Sequence, residues 1–163
     1  MIKIRLLVVG KTREGWIKQG ALHYLGLLRK YAKTEVVELK EEKVVGSKSV
    51  EAILRAEGER ILENLKRKSK TGPSGFCIAL DKGGEQLNSE GLAHLLKQSM
   101  NRGASEFIFV LGGPLGLSPG VLDFCRMRLS LSKMTFTHEM SRIILLEQIY
   151  RAFSILHGSD YHK

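Results

Sequence analysis

Apolar and polar positions along the chain follow two periods that alternate from the first residues to the last. Ile2 to Val9 is almost wholly apolar and predicts a strand closed by Gly10. From Glu14 to Ala32 the period becomes helical, with Ile17, Ala21, Leu25, Leu28 and Tyr31 along one side. Thr34 to Leu39 predicts a short strand. A second helix, capped by Ser47 or Ser49, runs to about Lys68 with Ile53, Leu54, Ile61 and Leu65 facing inward, and the cluster Thr71-Gly72-Pro73-Ser74-Gly75 breaks it. Phe76 to Asp81 is an apolar strand before a turn at Lys82-Gly83-Gly84. Ser89 to Arg102 is a helix ended by Gly103, and Glu106 to Leu111 another apolar strand. A loop from Gly112 to Ser118 leads into a short helix whose start is marked by Ser118-Pro119. Leu129 to Met134 predicts the last strand and His138 to Leu156 the last helix. Strands that alternate with helices, two of them apolar on both faces, predict a single α/β domain over residues 1–163 with a mainly parallel sheet flanked by helices.

Three motifs resemble known sites and fail on chemistry. Gly10-Lys11-Thr12 follows a strand as the end of a phosphate-binding loop does, but Arg5 stands where that loop needs glycine. His138-Glu139-Met140-Ser141-Arg142 has the frame of a zinc-protease helix with a guanidinium in place of the second imidazole, so it predicts no metal. Gly112 to Gly116 reads GGPLG, and Pro114 removes an N–H that a dinucleotide pyrophosphate needs.

Four features survive. The loop Gly112 to Ser118 leaves a buried strand at its carboxyl end, where open α/β sheets bind ligands; its glycines equally suit a tight strand-to-helix turn. Leu129 to His138 alternates small hydroxyl and apolar residues. In the last helix Arg142 projects from the centre of an apolar arc formed by Leu146, Ile149, Tyr150 and Phe153, which is costly unless it meets an anion, a pocket or a carboxylate such as Glu139 or Glu147. Apolar residues spread beyond that arc, to Met140, Ile144, Leu145 and Ile155, predict burial against a second subunit as well as the core. Tyr161-His162-Lys163 offers an aromatic ring, an imidazole and a cation, suited to a nucleobase or to a frayed end.

Charge then suggests a partner. Twenty-six basic against 17 acidic residues give a formal net charge of +9, of which residues 1–75 carry +8. Lys66, Arg67, Lys68 and Lys70 are the densest run. Such a field favours polyanions, nucleic acid foremost. No apolar run approaches the roughly 18 residues of a membrane span, and MIKIRLLVVG lacks the marks of a signal peptide. Cys77 and Cys125, both in apolar stretches without metal-ligand spacing, suit a reduced, cytoplasmic protein.

Taken in order, GGPLGLS at 112–118, LSLSKMTF at 129–136, His138, Arg142, LLEQIYRAFSIL at 145–156 and YHK at 161–163 resemble the RlmH (YbeA-type) family of bacterial ribosomal RNA methyltransferases. VVGK at 8–11 and LDKGG at 80–84 fit as well, so the resemblance spans essentially the whole chain. Thr137 departs from the family, in which a proline commonly precedes the histidine. The resemblance implies a SPOUT-type fold with a C-terminal trefoil knot, a homodimer formed through the C-terminal helix region, and S-adenosylmethionine as cofactor. It implies methylation of N3 of a pseudouridine in helix 69 of 23S ribosomal RNA, on assembled ribosomes. By match of motif the cofactor pocket would be Leu80, Gly112 and the run Leu131, Ser132, Lys133, Met134, Thr135 and Phe136, with Gly113 and Gly116 shaping its wall. The target nitrogen carries a proton at neutral pH, so a base is needed. His138 or His162 would take or relay it, Arg142 would steady an anionic base or phosphate, and Tyr161 would stack on the ring. Two rival readings stay open: a SPOUT methyltransferase with another RNA target, such as transfer RNA, and a non-catalytic basic module bound to ribosomes.

Overall fold

The computed structural model describes residues 1–43, 46–66 and 75–162, His162 by its backbone alone. Ten regular elements follow one another as β1 (Ile2–Val9), α1 (Gly15–Leu28), β2 (Ala32–Leu39), α2 (Val50–Lys66), β3 (Phe76–Gln86), α3 (Ser89–Asn101), β4 (Glu106–Leu111), α4 (Pro119–Phe124), β5 (Met127–Ser130) and α5 (His138–Leu156), with a 3₁₀ turn at Asp160–His162. The strands form one sheet in the order β2-β1-β4-β3-β5, and every pairing is parallel.

Strand alternation divides the core between two faces. Ile4, Leu6 and Val8 of β1 and Phe107, Phe109 and Leu111 of β4 point toward α1, α3 and α5. Leu7, Val9, Ile108 and Val110 point the other way, toward α2 and α4. The central strand β4 is buried at all six positions, as expected of a strand covered by helices on both sides. Cys77 and Cys125 lie buried on the α2/α4 side as free thiols with their sulfurs 2.8 Å apart. Among the described residues no helix is long and apolar enough to cross a membrane.

Several boundaries differ from the sequence expectation, each for a local reason. The first helix stops at Leu28 rather than Ala32: Tyr31 N–H bonds back to Leu28, and Ala32 already pairs with Ile2 in the sheet. Ser49, not Ser47, caps α2 by accepting from Ala52 N–H at 3.1 Å. The expected extension to Lys68 and the break at 71–74 lie outside the described residues. Lys82-Gly83-Gly84 is not a turn that ends β3. The strand continues to Gln86 through an irregularity in which both Leu80 and Glu85 face Leu129. The last strand runs from Met127 to Ser130, not from Leu129 to Met134. Ser130 Oγ donates to Ser132 O and Ser132 Oγ accepts from Met134 N–H, both at 3.0 Å, so side-chain hydroxyls take over local backbone groups and the chain leaves the ladder.

Candidate active site

The site lies beyond the carboxyl ends of the strands. Above β3 and β5 is a cleft of about 150 Å³ whose lining includes Leu80 and the residues that follow β5: Leu131, Ser132, Met134, Thr135 and Phe136. Six of the expected cofactor residues thus come together because β3 and β5 are neighbours and the loop after β5 folds back on itself. Asp81, Lys82 and Ser141 also line it and were missed in the sequence reading. Lys133 is exposed and is not part of the lining. Met134 and Phe136, at 72% and 39% exposure, hold apolar surface out to solvent beside the cleft.

Gly112, Gly113 and Gly116 stand apart from that lining, on the loop after β4. Gly116 N–H closes a tight turn onto Gly113 O at 3.0 Å, and Gly116 has φ +87°. A Cβ on Gly112 would sit 2.2 Å from Gly116 O. The turn itself therefore requires glycine at 112 and 116.

The start of α5 binds the site to the end of β1. Thr137 Oγ1 caps the helix by accepting from Met140 N–H at 3.2 Å. Glu139 Oε2 accepts the N–H groups of Arg13 and Glu14, each at 3.0 Å, and so supplies the cap that α1 lacks from its own Glu14 side chain. Burial alone would raise the pKa of Glu139, but those two N–H bonds, with Arg142 and His138 nearby, outweigh it and hold the carboxyl below its ordinary value. Arg142 is buried, as an arginine at the centre of an apolar arc must be. Its hydrogen bonds run to Val9 O at 2.6 Å, Gly10 O at 3.0 Å and Thr12 Oγ1 at 2.8 Å, rather than to the carboxylates of Glu139 or Glu147. Glu147 instead accepts from Arg151. Arg142 Nε is buried without a partner, and burial lowers the guanidinium's pKa. His138 is half-buried; burial first, then the Arg142 charge, push its pKa below the ordinary 6.5, against Glu139 and Glu41.

The tail is folded onto its own chain. Tyr161 packs edge-on against Tyr150, with ring centroids 4.6 Å apart, and Arg151 lies over its ring. Its hydroxyl donates to Glu147 Oε1 at 3.3 Å. The structure thus brings Tyr161 to the middle of α5, and not to the cleft above β3 and β5. His162 enters only through the backbone of the terminal turn, and Lys163 lies outside the described residues.

A second cleft was not anticipated. It opens beyond the ends of β1, β2 and β4 and contains the buried carboxyl of Glu57. A signal for it existed in the sequence: Glu57 interrupts the inward stripe Ile53-Glu57-Ile61 of α2 as Arg142 interrupts that of α5.

Known structures share the overall arrangement. A protein of Bordetella pertussis Tohama I described as a probable methyltransferase superposes with a TM-score of 0.58 at 12% identity, over 93% of this chain and 96% of that one. The transfer RNA (m1G37) methyltransferase of Aquifex aeolicus gives 0.53 at 15% identity, over 91% and 69%. The Legionella pneumophila protein Lpg2936, solved with the cofactor SAM bound, gives 0.50 at 13% identity, over 93% and 66%. At such identities the likeness speaks for the fold. The sequence itself matches the family model described as "Predicted SPOUT methyltransferase" over residues 2–162. With all but its first and last residue matched, the chain belongs to the SPOUT methyltransferase family.

Proposed function

We propose that the protein is an RlmH-type enzyme that transfers a methyl group from S-adenosylmethionine to N3 of a pseudouridine in helix 69 of 23S ribosomal RNA. It acts in the cytoplasm on assembled ribosomes and works as a knotted homodimer. The observation that carries this reading is the convergence of Leu80 with Leu131, Ser132, Met134, Thr135 and Phe136 in one cleft at the carboxyl edge of the sheet, in a chain matched to the family almost from end to end.

That cleft suits S-adenosylmethionine. Leu80, Leu131 and Phe136 offer apolar walls, and Ser132 and Thr135 offer hydroxyls. When bound, the cofactor supplies an electrophilic methyl on a sulfonium, so the protein has mainly to align the acceptor nitrogen and remove its proton. Of the two candidate bases, His138 follows Phe136 of the cleft by two residues, has a pKa held below its ordinary value by burial and by Arg142, and accepts that proton. Arg142 acts as a positioning residue, because its donors hold the end of β1 in place beneath α5. Tyr161 and His162 serve the target base once the tail leaves Tyr150, most directly in the partner subunit's site.

At about 150 Å³ the cleft is smaller than the roughly 300–1,000 Å³ of ordinary ligand pockets, and apolar Met134 and Phe136 border it in solvent. A second copy completes such a half-walled site.

The test offers labelled S-adenosylmethionine with intact ribosomes, naked 23S ribosomal RNA or transfer RNA. Label on ribosomes alone is the expected result. Label on transfer RNA would move the target, and no cofactor binding at all would leave only the basic ribosome-binding module.

A further inference from the structure

In the strand order β2-β1-β4-β3-β5, the chain leaves β1 through α1 for β2 on one side and leaves β4 through α4 for β5 on the other. The two loops also depart to opposite faces, since α1 packs with α3 and α5, whereas α4 packs with α2. Between strands whose connections diverge in this way a crevice opens, and open α/β sheets bind ligands there. The crevice in this protein is the second cleft, of about 440 Å³. Its walls include Arg13 after β1, Glu41 after β2, Ile53 and Glu57 of α2, and Pro114 and Leu115 after β4. It shares no lining residue with the cleft above β3 and β5.

Glu57 is the unusual member. It is only 5% exposed. Its Oε1 accepts Glu42 N–H at 2.9 Å, which leaves Oε2 beside the loop after β4, 3.5 Å from where a Cβ on Gly113 would stand. The neighbouring carboxylates have other partners: Glu41 pairs with Arg13, and Glu42 with Lys48 and Arg60. The cleft therefore presents one buried acceptor among the apolar surfaces of Ile53, Pro114 and Leu115, with the charged Arg13, Glu41, Glu42 and Lys43 also along its lining. That combination fits a flat ring carrying an N–H at its edge. Burial raises the Glu57 pKa, and a donor brought to Oε2 favours the ionised form, whereas a phosphate or carboxylate would oppose it.

We propose that this cleft receives the target base and that Glu57 accepts the N1–H by which pseudouridine differs from uridine. The proposal rests on the methyl-transfer reading above and adds the residue that selects the substrate base. N1 and N3 flank the C2 carbonyl of the ring, so holding N1–H leaves N3 free to react. His138 belongs to the same side of the site, for Arg13 and Glu41 are among the charges that act on its ring.

The test needs no catalysis. The full-length protein is titrated by NMR with pseudouridine 5′-monophosphate, its 1-methyl derivative, which lacks the N1–H, and uridine 5′-monophosphate. The amides of Glu42 and Gly113 should shift with the first, and the other two should bind about tenfold more weakly, the worth of one charged hydrogen bond. In Glu57→Gln the amide oxygen keeps the Glu42 N–H, an NH₂ faces the ring, and the preference should vanish. Leu115→Ala should reduce binding of all three nucleotides while adding no charge beside Glu57, which keeps the proposal testable if the Glu57 variant does not fold. Equal affinity of the wild-type protein for all three nucleotides overturns the proposal, as does a preference that survives in folded Glu57→Gln. A preference for pseudouridine beside a failure to methylate ribosomes would support the cleft and remove the assigned reaction. Ribosome methylation without the preference would do the reverse.

Discussion

At the scale of single residues, two buried charges on the first turns of α5 tie that helix to the end of β1 and the start of α1. Arg142 bonds to the last carbonyl of β1 and to the next one, at Gly10, and so satisfies backbone acceptors buried under a helix. Glu139 performs the complementary task for the first N–H groups of α1. A carboxylate in that position also meets the positive end of the helix dipole. Because its pKa is lower in the folded protein than in the unfolded chain, the stabilisation is complete above the ordinary value of 4.5 and is lost as pH falls through the folded value. Replacing Glu139 with Gln should lower stability by about 1–3 kcal/mol at pH 7. The gap from wild type should shrink as the pH falls below 4, and urea unfolding at the two pH values measures both effects. A gap that stays constant would mean that the carboxylate charge contributes nothing.

At the scale of elements, the loop after β4 is the piece with least freedom. Its closure brings the backbone of Gly116 against Gly112. Gly112→Ala places a methyl group where a carbonyl oxygen stands, and neither can yield without moving the chain. We expect a loss of about 1–3 kcal/mol in stability. Gly113→Ala, whose nearest neighbour would be 3.4 Å away, should fold normally. Urea unfolding of both variants decides the matter, and wild-type stability in Gly112→Ala would contradict the need for glycine in this turn. Elements with one period and clean ends were legible in the sequence: β1, β4 and α5 have the bounds that the pattern predicts. The misreadings occur where two causes produce one pattern. Tyr31 and Ala32 keep the helical spacing of α1 while belonging to a turn and a strand. Ser130 and Ser132 continue an alternation that their own hydroxyls have ended. The site was legible where its residues are close in sequence, as from Leu131 to Phe136. The bonds from Glu139 to Arg13 and Glu14 span more than 120 residues and leave no local trace.

At the scale of the whole molecule, a net charge of +9 with nearly all of the excess before residue 76 gives one part of the chain a field for polyanions. Lys66 ends α2 in the open, and the rest of the basic run, at 67–70, lies outside the described residues. Reversing the four charges at Lys66, Arg67, Lys68 and Lys70 should weaken ribosome binding and flatten its dependence on salt, leaving the affinity for S-adenosylmethionine unchanged. An unaltered salt slope would move the RNA face elsewhere. The measurement that decides the reaction itself is methyl transfer to ribosomes that lack the modification, followed by digestion and mass mapping of the labelled nucleoside. The methyl group should be on N3 of the helix 69 pseudouridine. Ribosomes that stay unlabelled, or a methyl group on any other nucleoside, would contradict the assigned function.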